Sequence, residues 1–230
     1  MKPLDSQQLS GTWATFLMLI DDHDHIEFSR LEDELDYLLA SGVDGIYTNG
    51  TSGEFYAQTE DEFDRIHALV AEKCEKARMP FQIGVGHMSA QISIARMRHA
   101  IELAPGAIQM ILPDWFPVSD EEAIAFLKSM SDVSGPIGLV LYNPPHAKRV
   151  LDPAAFGKFC KGVPRLIGVK VADGDKAWYA SMHLHLPNVS IFVPGHHFAT
   201  GSQRGAAGTY SNVACLQPVG AKRWHEWLAS

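Results

Sequence analysis

Residues 166–193, LIGVKVADGDKAWYASMHLHLPNVSIFV, decide the fold. Leu166-Ile167-Gly168-Val169-Lys170-Val171 is a short apolar run broken by one lysine. Its apolar residues fall on both faces, which marks a strand buried on both sides. Asp175–Leu186 reads as a helix, and Val189–Val193 as the next buried strand. A strand, a helix and a strand in that order form a parallel crossover unit.

The same unit repeats along the chain. Further runs lie at Trp13–Ile20, Gly45–Thr48, Phe81–Val85, Ala107–Leu112, Ile137–Leu141 and Ala206–Tyr210. Helical spacings of three and four fill the gaps. They join Phe28, Leu31, Leu35, Leu38 and Leu39, then Phe63, Ile66, Leu69 and Val70, then Ile94, Met97, Ile101 and Leu103. Ala123, Ile124 and Leu127 mark a fourth helix, and Phe156, Phe159 and Cys160 a fifth. A weak helix is expected around His196–Gln203 and a closing one over Ala214–Leu228. Thr59 with Glu62 forms a capping box, and Asp152-Pro153 places proline in a first helical turn. Gly42 and Gly162 stand where helices should stop.

Eight strands alternating with eight helices predict a single α/β domain over residues 1–230, a (β/α)8 TIM barrel. An open doubly wound sheet would carry a glycine-rich turn after its first strand. Ile20-Asp21-Asp22-His23 holds no glycine there. Composition narrows the class further. The chain is 46% hydrophobic, 20% charged and carries a formal net charge of −8. It is too apolar to be disordered, and no apolar run is long enough for a membrane span. The acidic balance argues against nucleic acid or anionic membrane as a partner. The N-terminus lacks a signal-peptide pattern. Cys74, Cys160 and Cys215 are odd in number and widely spaced, which fits neither a disulfide framework nor a zinc knuckle. A cytoplasmic location is expected.

A barrel places its chemistry just beyond the C-terminal strand ends. After the second run stands Asn49-Gly50-Thr51-Ser52-Gly53-Glu54, where two hydroxyls between glycines let backbone N–H groups approach a small anion. An ordinary turn has the same composition. After the fifth run, Tyr142-Asn143-Pro144-Pro145 offers a phenol either for proton relay or for packing at the rim. Lys170 is the most informative residue. A buried lysine loses its charge more readily and becomes a nucleophile toward carbonyls. A strand-end lysine can also extend its ammonium to water.

Taken together, Gly50-Thr51-Ser52-Gly53-Glu54, Tyr142-Asn143 with Pro145, and Gly168-Val169-Lys170 resemble the dihydrodipicolinate synthase / N-acetylneuraminate lyase family of Schiff-base barrels. The likeness runs from about Gly11 onward. It implies a class I, cofactor-free lyase or aldolase acting on pyruvate or a related 2-oxo acid and an aldehyde or sugar acid. Lys170 would form the Schiff base, Tyr142 would relay protons, and Thr51 would hydrogen-bond that tyrosine. Ser52, with the backbone there and the close approach at Gly50, would hold the substrate carboxylate. Gly195 would line the pocket, and Ser211 and Asn212 would lie at its rim. The family also implies a homo-tetramer, a dimer of dimers, and a further C-terminal helical region that the sequence lacks. Trp224 and Trp227 would then be exposed.

Several positions depart from the synthase pattern. Ala147 stands where an arginine usually binds the second substrate's carboxylate, with Lys148 and Arg149 beside it. Trp115 replaces a second relay tyrosine, and an indole donates a hydrogen bond but does not pass a proton on. Val171 replaces the glutamate after the lysine, and the Thr-Pro usual at the first strand's end is absent near Met18-Leu19. These departures favour a different aldehyde or sugar acid. Two other classes compete. A metal-dependent barrel hydrolase would use His23-Asp24-His25, but it also wants ligands after the fifth, sixth and eighth strands. Those positions offer only His146, four residues late, then Lys170 and Thr209-Tyr210-Ser211, so no metal is expected. His183, His185, His196 and His197 complete the candidate ligands. A non-catalytic 2-oxo acid binding protein would not need an imine-forming lysine.

Overall fold

The computed structural model describes residues 1–229. Eight parallel strands close into a barrel in chain order. They are β1 (Gly11–Thr15), β2 (Gly45–Tyr47), β3 (Phe81–Gly84), β4 (Ala107–Met110), β5 (Gly138–Tyr142), β6 (Leu166–Lys170), β7 (Ser190–Pro194) and β8 (Gly208–Ser211). Pairing of β8 with β1, Trp13 opposite Tyr210 and Ala14 opposite Ser211, completes the closure. The helices are α1 (Phe28–Ala40), α2 (Glu60–Ala77), α3 (Ala90–Glu102), α4 (Asp120–Val133), α5 (Pro153–Cys160), α6 (Lys176–His185), α7 (Phe198–Arg204) and α8 (Pro218–Ala229). The TIM barrel expected from the sequence is the fold observed. No helix among the described residues is long and apolar enough to cross a membrane.

Local chemistry sets the helix starts. Thr59 accepts from the Glu62 N–H while Glu62 accepts from that of Thr59, and Ser119 with Glu122 repeats the device at α4. Asp152 caps α5 through the Ala155 N–H, with Pro153 in the first turn. Gly42 follows α1 at φ +80°, whereas Gly162 follows α5 without a positive φ. The expected first strand is too long. Beyond Thr15 the chain leaves the sheet and forms a loop closed by an Ile20–Ile26 bridge. Inside it Asp21 accepts the N–H groups of His23 and His25, so the His23-Asp24-His25 segment is an exposed polar turn.

Two apolar layers hold the barrel. The larger lies between sheet and helices, with Leu35, Phe63, Met97, Leu127, Phe156 and Met182 among its fully buried members. The smaller fills the barrel itself with Leu9, Trp13, Tyr47, Val140, Phe192 and Tyr210. Glycines in neighbouring strands make room for these rings. A Cβ on Gly45 would come 2.5 Å from Trp13, and one on Gly208 would come 2.6 Å from Phe192. The interior is therefore a packed aromatic core rather than a pore, and the mouth above it is the only end left for chemistry.

Candidate active site

Register brings the first two site residues together. Tyr142 and Lys170 end adjacent strands and pair directly, Tyr142 opposite Lys170. Both side chains stand at the C-terminal end of the barrel. The Lys170 ammonium nitrogen lies 4.1 Å from the centre of the Tyr142 ring, 4.6 Å from that of Tyr47 and 5.3 Å from that of Tyr210. Lys170 is 6% exposed. Burial away from water pushes its pKa down from the ordinary lysine value to about 7. A large share of the residue is thus the neutral, nucleophilic amine near neutral pH.

The turn after β2 faces the same point. Thr51 Oγ1 and Tyr142 Oη are 3.0 Å apart and hydrogen-bonded. Desolvation raises the Tyr142 pKa, against which the Thr51 bond acts, so the phenol keeps its proton at neutral pH. Gly50 precedes a 3-10 turn over Thr51–Gly53. A Cβ there would come 2.9 Å from Lys170 Nζ and from the Tyr47 ring, which is the close approach that requires glycine. The turn's internal bonds come from the N–H groups of Gly53 and Glu54. Those of Thr51 and Ser52 precede any such bond, as at every helix start. Ser52 is exposed on this turn. Gln58 closes the loop behind it through Asn49 and the Gly53 carbonyl.

The opposite side of the mouth gathers Gly195, Ser211 and Asn212. A Cβ on Gly195 would come 2.6 Å from Ser211 Oγ and 3.3 Å from Asn212 Oδ1. Ser211 is not at the rim. It is 2% exposed, and its hydroxyl accepts the Ala214 N–H at 3.1 Å, which fixes the turn into α8. Asn212 is the exposed one, with His196 Nδ1 3.4 Å from its Oδ1.

A small cleft adjoins Thr51 and Tyr142. Phe55, Ile111, Leu112 and Pro113 form apolar walls, and Asp114, His146 and Ala147 are polar or small neighbours. Asn143 shapes this side by bonding the Arg149 carbonyl and the Leu151 N–H, which pins the intervening loop. Arg149 lines the same cleft as Ala147. Its guanidinium donates to the Val118 carbonyl and to Asp120, and it stacks on Phe159 at 4.8 Å. Trp115 is 68% exposed beside Phe116. Among the described residues no group of three or more histidine, cysteine, aspartate or glutamate side chains is placed to hold a metal ion.

Sequence reading missed Tyr47, Tyr210 and Thr15. All three point into the barrel at the level of the lysine or just below it. Tyr47 Oη accepts from Thr15 Oγ1 at 2.6 Å and from Lys170 Nζ at 3.4 Å. Tyr210 donates to Gln82 at 2.7 Å. The signal was present as period-two alternation within each run, Gly45 then Tyr47, Gly208 then Tyr210, which selects the inward face.

Comparison with known proteins shows the family. The dihydrodipicolinate synthetase family model matches residues 8–223. A 4-hydroxy-tetrahydrodipicolinate synthase of Exiguobacterium is 30% identical over 190 residues, covering 80% of this chain and 62% of the relative. The chain thus spans about three-fifths of the length of the first curated relatives it matches. A catalytic-lysine mutant of the Ruminococcus gnavus sialic acid aldolase superposes with a TM-score of 0.89 at 22% identity, over 100% of this chain and 75% of that one. A prophage protein from E. coli, crystallised with pyruvate, gives 0.85 at 21% identity, over 96% and 81%. With its barrel, its paired lysine and tyrosine and a family match over nearly its whole length, the chain belongs to the dihydrodipicolinate synthetase family.

Proposed function

We propose that the protein is a Schiff-base lyase or aldolase that joins pyruvate, or a related 2-oxo acid, to an aldehyde-type partner or cleaves the product. The observation that carries this is the buried Lys170 amine, its pKa lowered to about 7, beside a Tyr142 phenol bonded to Thr51. Family membership and the catalytic lysine of the sialic acid aldolase relative support it.

Lys170 attacks the keto carbon. Tyr142, fed through Thr51, moves a proton to the departing oxygen, which leaves as water. The resulting iminium draws electrons from the adjacent C–H bond, whose proton passes to the Tyr142 oxygen that gave one up, and an enamine, the carbon nucleophile, is formed. Ser52 and the first N–H groups of the turn after Gly50 bind the substrate carboxylate. Gly195 and Asn212 bound the far side. The apolar walls of the cleft exclude water from the enamine.

The second substrate is an uncharged aldehyde or a sugar acid rather than a partner clamped by an arginine. Ala147 is neutral and Arg149 is already paired. The reaction is tested by screening aldehydes with pyruvate and following its consumption, and by screening sugar acids for its release. We expect turnover that survives chelators. Activity confined to a metal-loaded form would favour a hydrolase, and binding without any turnover would favour a lapsed enzyme. We further propose a cytoplasmic setting, with Cys74, Cys160 and Cys215 all free thiols.

A further inference from the structure

We propose that Tyr47 is a further catalytic residue of the imine-forming step, accepting the one N–H that Lys170 retains from amine to iminium. The proposal rests on the Schiff-base reading above. It starts from the surroundings of Nζ. The amine is enclosed by the Tyr142, Tyr47 and Tyr210 rings and by the backbone at Gly50. Of the three phenols around it, two bond elsewhere through their hydroxyls, Tyr142 to Thr51 and Tyr210 to Gln82. Among the described residues Tyr47 Oη is the hydroxyl bonded to Nζ, at 3.4 Å.

Tyr47 is fixed for this task. Thr15, fully buried, donates to the same oxygen at 2.6 Å. The Tyr47 ring lies edge-on to Tyr210, with centroids 4.5 Å apart. Its oxygen is therefore a held acceptor aimed at nitrogen. Burial also raises the phenol's pKa, so it acts as a neutral acceptor and not as a phenolate.

The proton count gives that acceptor a role. A neutral amine carries two N–H bonds. As the C–N bond forms and the carbonyl π bond breaks, one of those protons passes to the former carbonyl oxygen. A second proton, delivered through Tyr142, lets that oxygen leave as water. One N–H remains on the iminium nitrogen. Held by Tyr47, it keeps one orientation throughout, so the lone pair of the starting amine points away from Tyr47 toward the incoming carbon. Positive charge grows on nitrogen along the way. A hydrogen bond that is long in the free enzyme therefore tightens as the reaction proceeds. The surrounding ring faces attract the same developing cation.

The test compares rates of pyruvate trapping by borohydride, read by intact mass, for the wild type, Tyr47→Phe and Tyr179→Phe. Tyr179 is a remote control, a buried phenol on α6 that donates to Asp173. Melting curves accompany each protein. We expect Tyr47→Phe to trap about 10- to 100-fold more slowly, the worth of a hydrogen bond to a charged group. The deficit should persist at about pH 9, where the amine is neutral in both proteins. Tyr179→Phe should lose stability yet trap at the wild-type rate. Equal trapping by Tyr47→Phe and the wild type overturns the proposal, as does equal slowing in both variants. A wild type that forms no adduct at all removes the Schiff-base reading and this inference with it. Should Tyr47→Phe lack a cooperative melt, Thr15→Val takes its place. It keeps the phenol but releases its aim, and an unchanged rate there overturns the proposal.

Discussion

Lys170, Tyr142 and Thr51 form one hydrogen-bonded and packed unit, so each should fail in its own way. Tyr142→Phe keeps the ring against Lys170 and loses the proton path. Turnover should fall by about 10² or more with melting unchanged, checked by steady-state kinetics and calorimetry. Gly50→Ala works through geometry. The new methyl meets both Nζ and the buried Tyr47 ring at 2.9 Å, so the amine and the ring must both shift and some stability is lost as well. The displaced amine should cost about 10² in rate, since small misplacements are that expensive. The pH dependence has a definite sign. Attack needs the neutral amine, and the Lys170 pKa lies near 7. Trapping should rise through about pH 7 and level off, instead of rising to the ordinary lysine pKa near 10.4. The lysine, the tyrosine and the Gly50 turn were legible in the sequence because polar residues interrupt or end apolar runs there. Tyr47 was not, because an aromatic inside an apolar run looks like core, and by burial it is core. Its second role depends on Thr15 and Lys170, which come from other strands.

Elements were read well where local chemistry marks them. Thr59–Glu62 and Asp152-Pro153 start helices as expected because capping is a property of a few neighbouring residues. Strand ends were read less well. Phe16–Ile20 is apolar like β1, yet it turns away from the sheet, and in a doubly buried strand no alternation marks the last paired residue. Helix α3 also held a surprise. Its buried face carries Arg96, 2% exposed, which donates to the Gly86 and Phe55 carbonyls and pairs with Glu60. That one side chain ties the turns after β2 and β3 to α3. Arg96→Met removes these bonds and should cost about 2–4 kcal/mol. It should also raise the KM for the 2-oxo acid by loosening the Thr51–Ser52 turn. Denaturant melts and kinetics at saturating substrate separate the two effects.

At the scale of the molecule, eight repeated units were legible because the barrel needs each of them. What covers its outer surfaces was not. Trp227 is 67% exposed and Trp224 is half-buried on α8. Trp115 and Phe116 stand out from the mouth. Stability carries its own pH signature. Glu34 lies beneath the first loop, bonded through one oxygen to the Leu17 N–H, while its other oxygen has no partner. Burial raises its pKa to about 7. The folded state therefore holds a proton that the unfolded state has released, and stability falls as pH rises from about 4.5 to about 7. Glu34→Gln escapes that loss. It should melt several degrees above the wild type at about pH 8 and level with it at about pH 4.5.

The kinetic outcomes assume that the amine of Lys170 is the group that captures the substrate. Peptide mapping after incubation with pyruvate and borohydride tests this most directly. A reduced pyruvyl group on the peptide containing Lys170, absent from Lys170→Met, is the expected result. No adduct, or an adduct on a different lysine with Lys170 unmodified, would contradict the account.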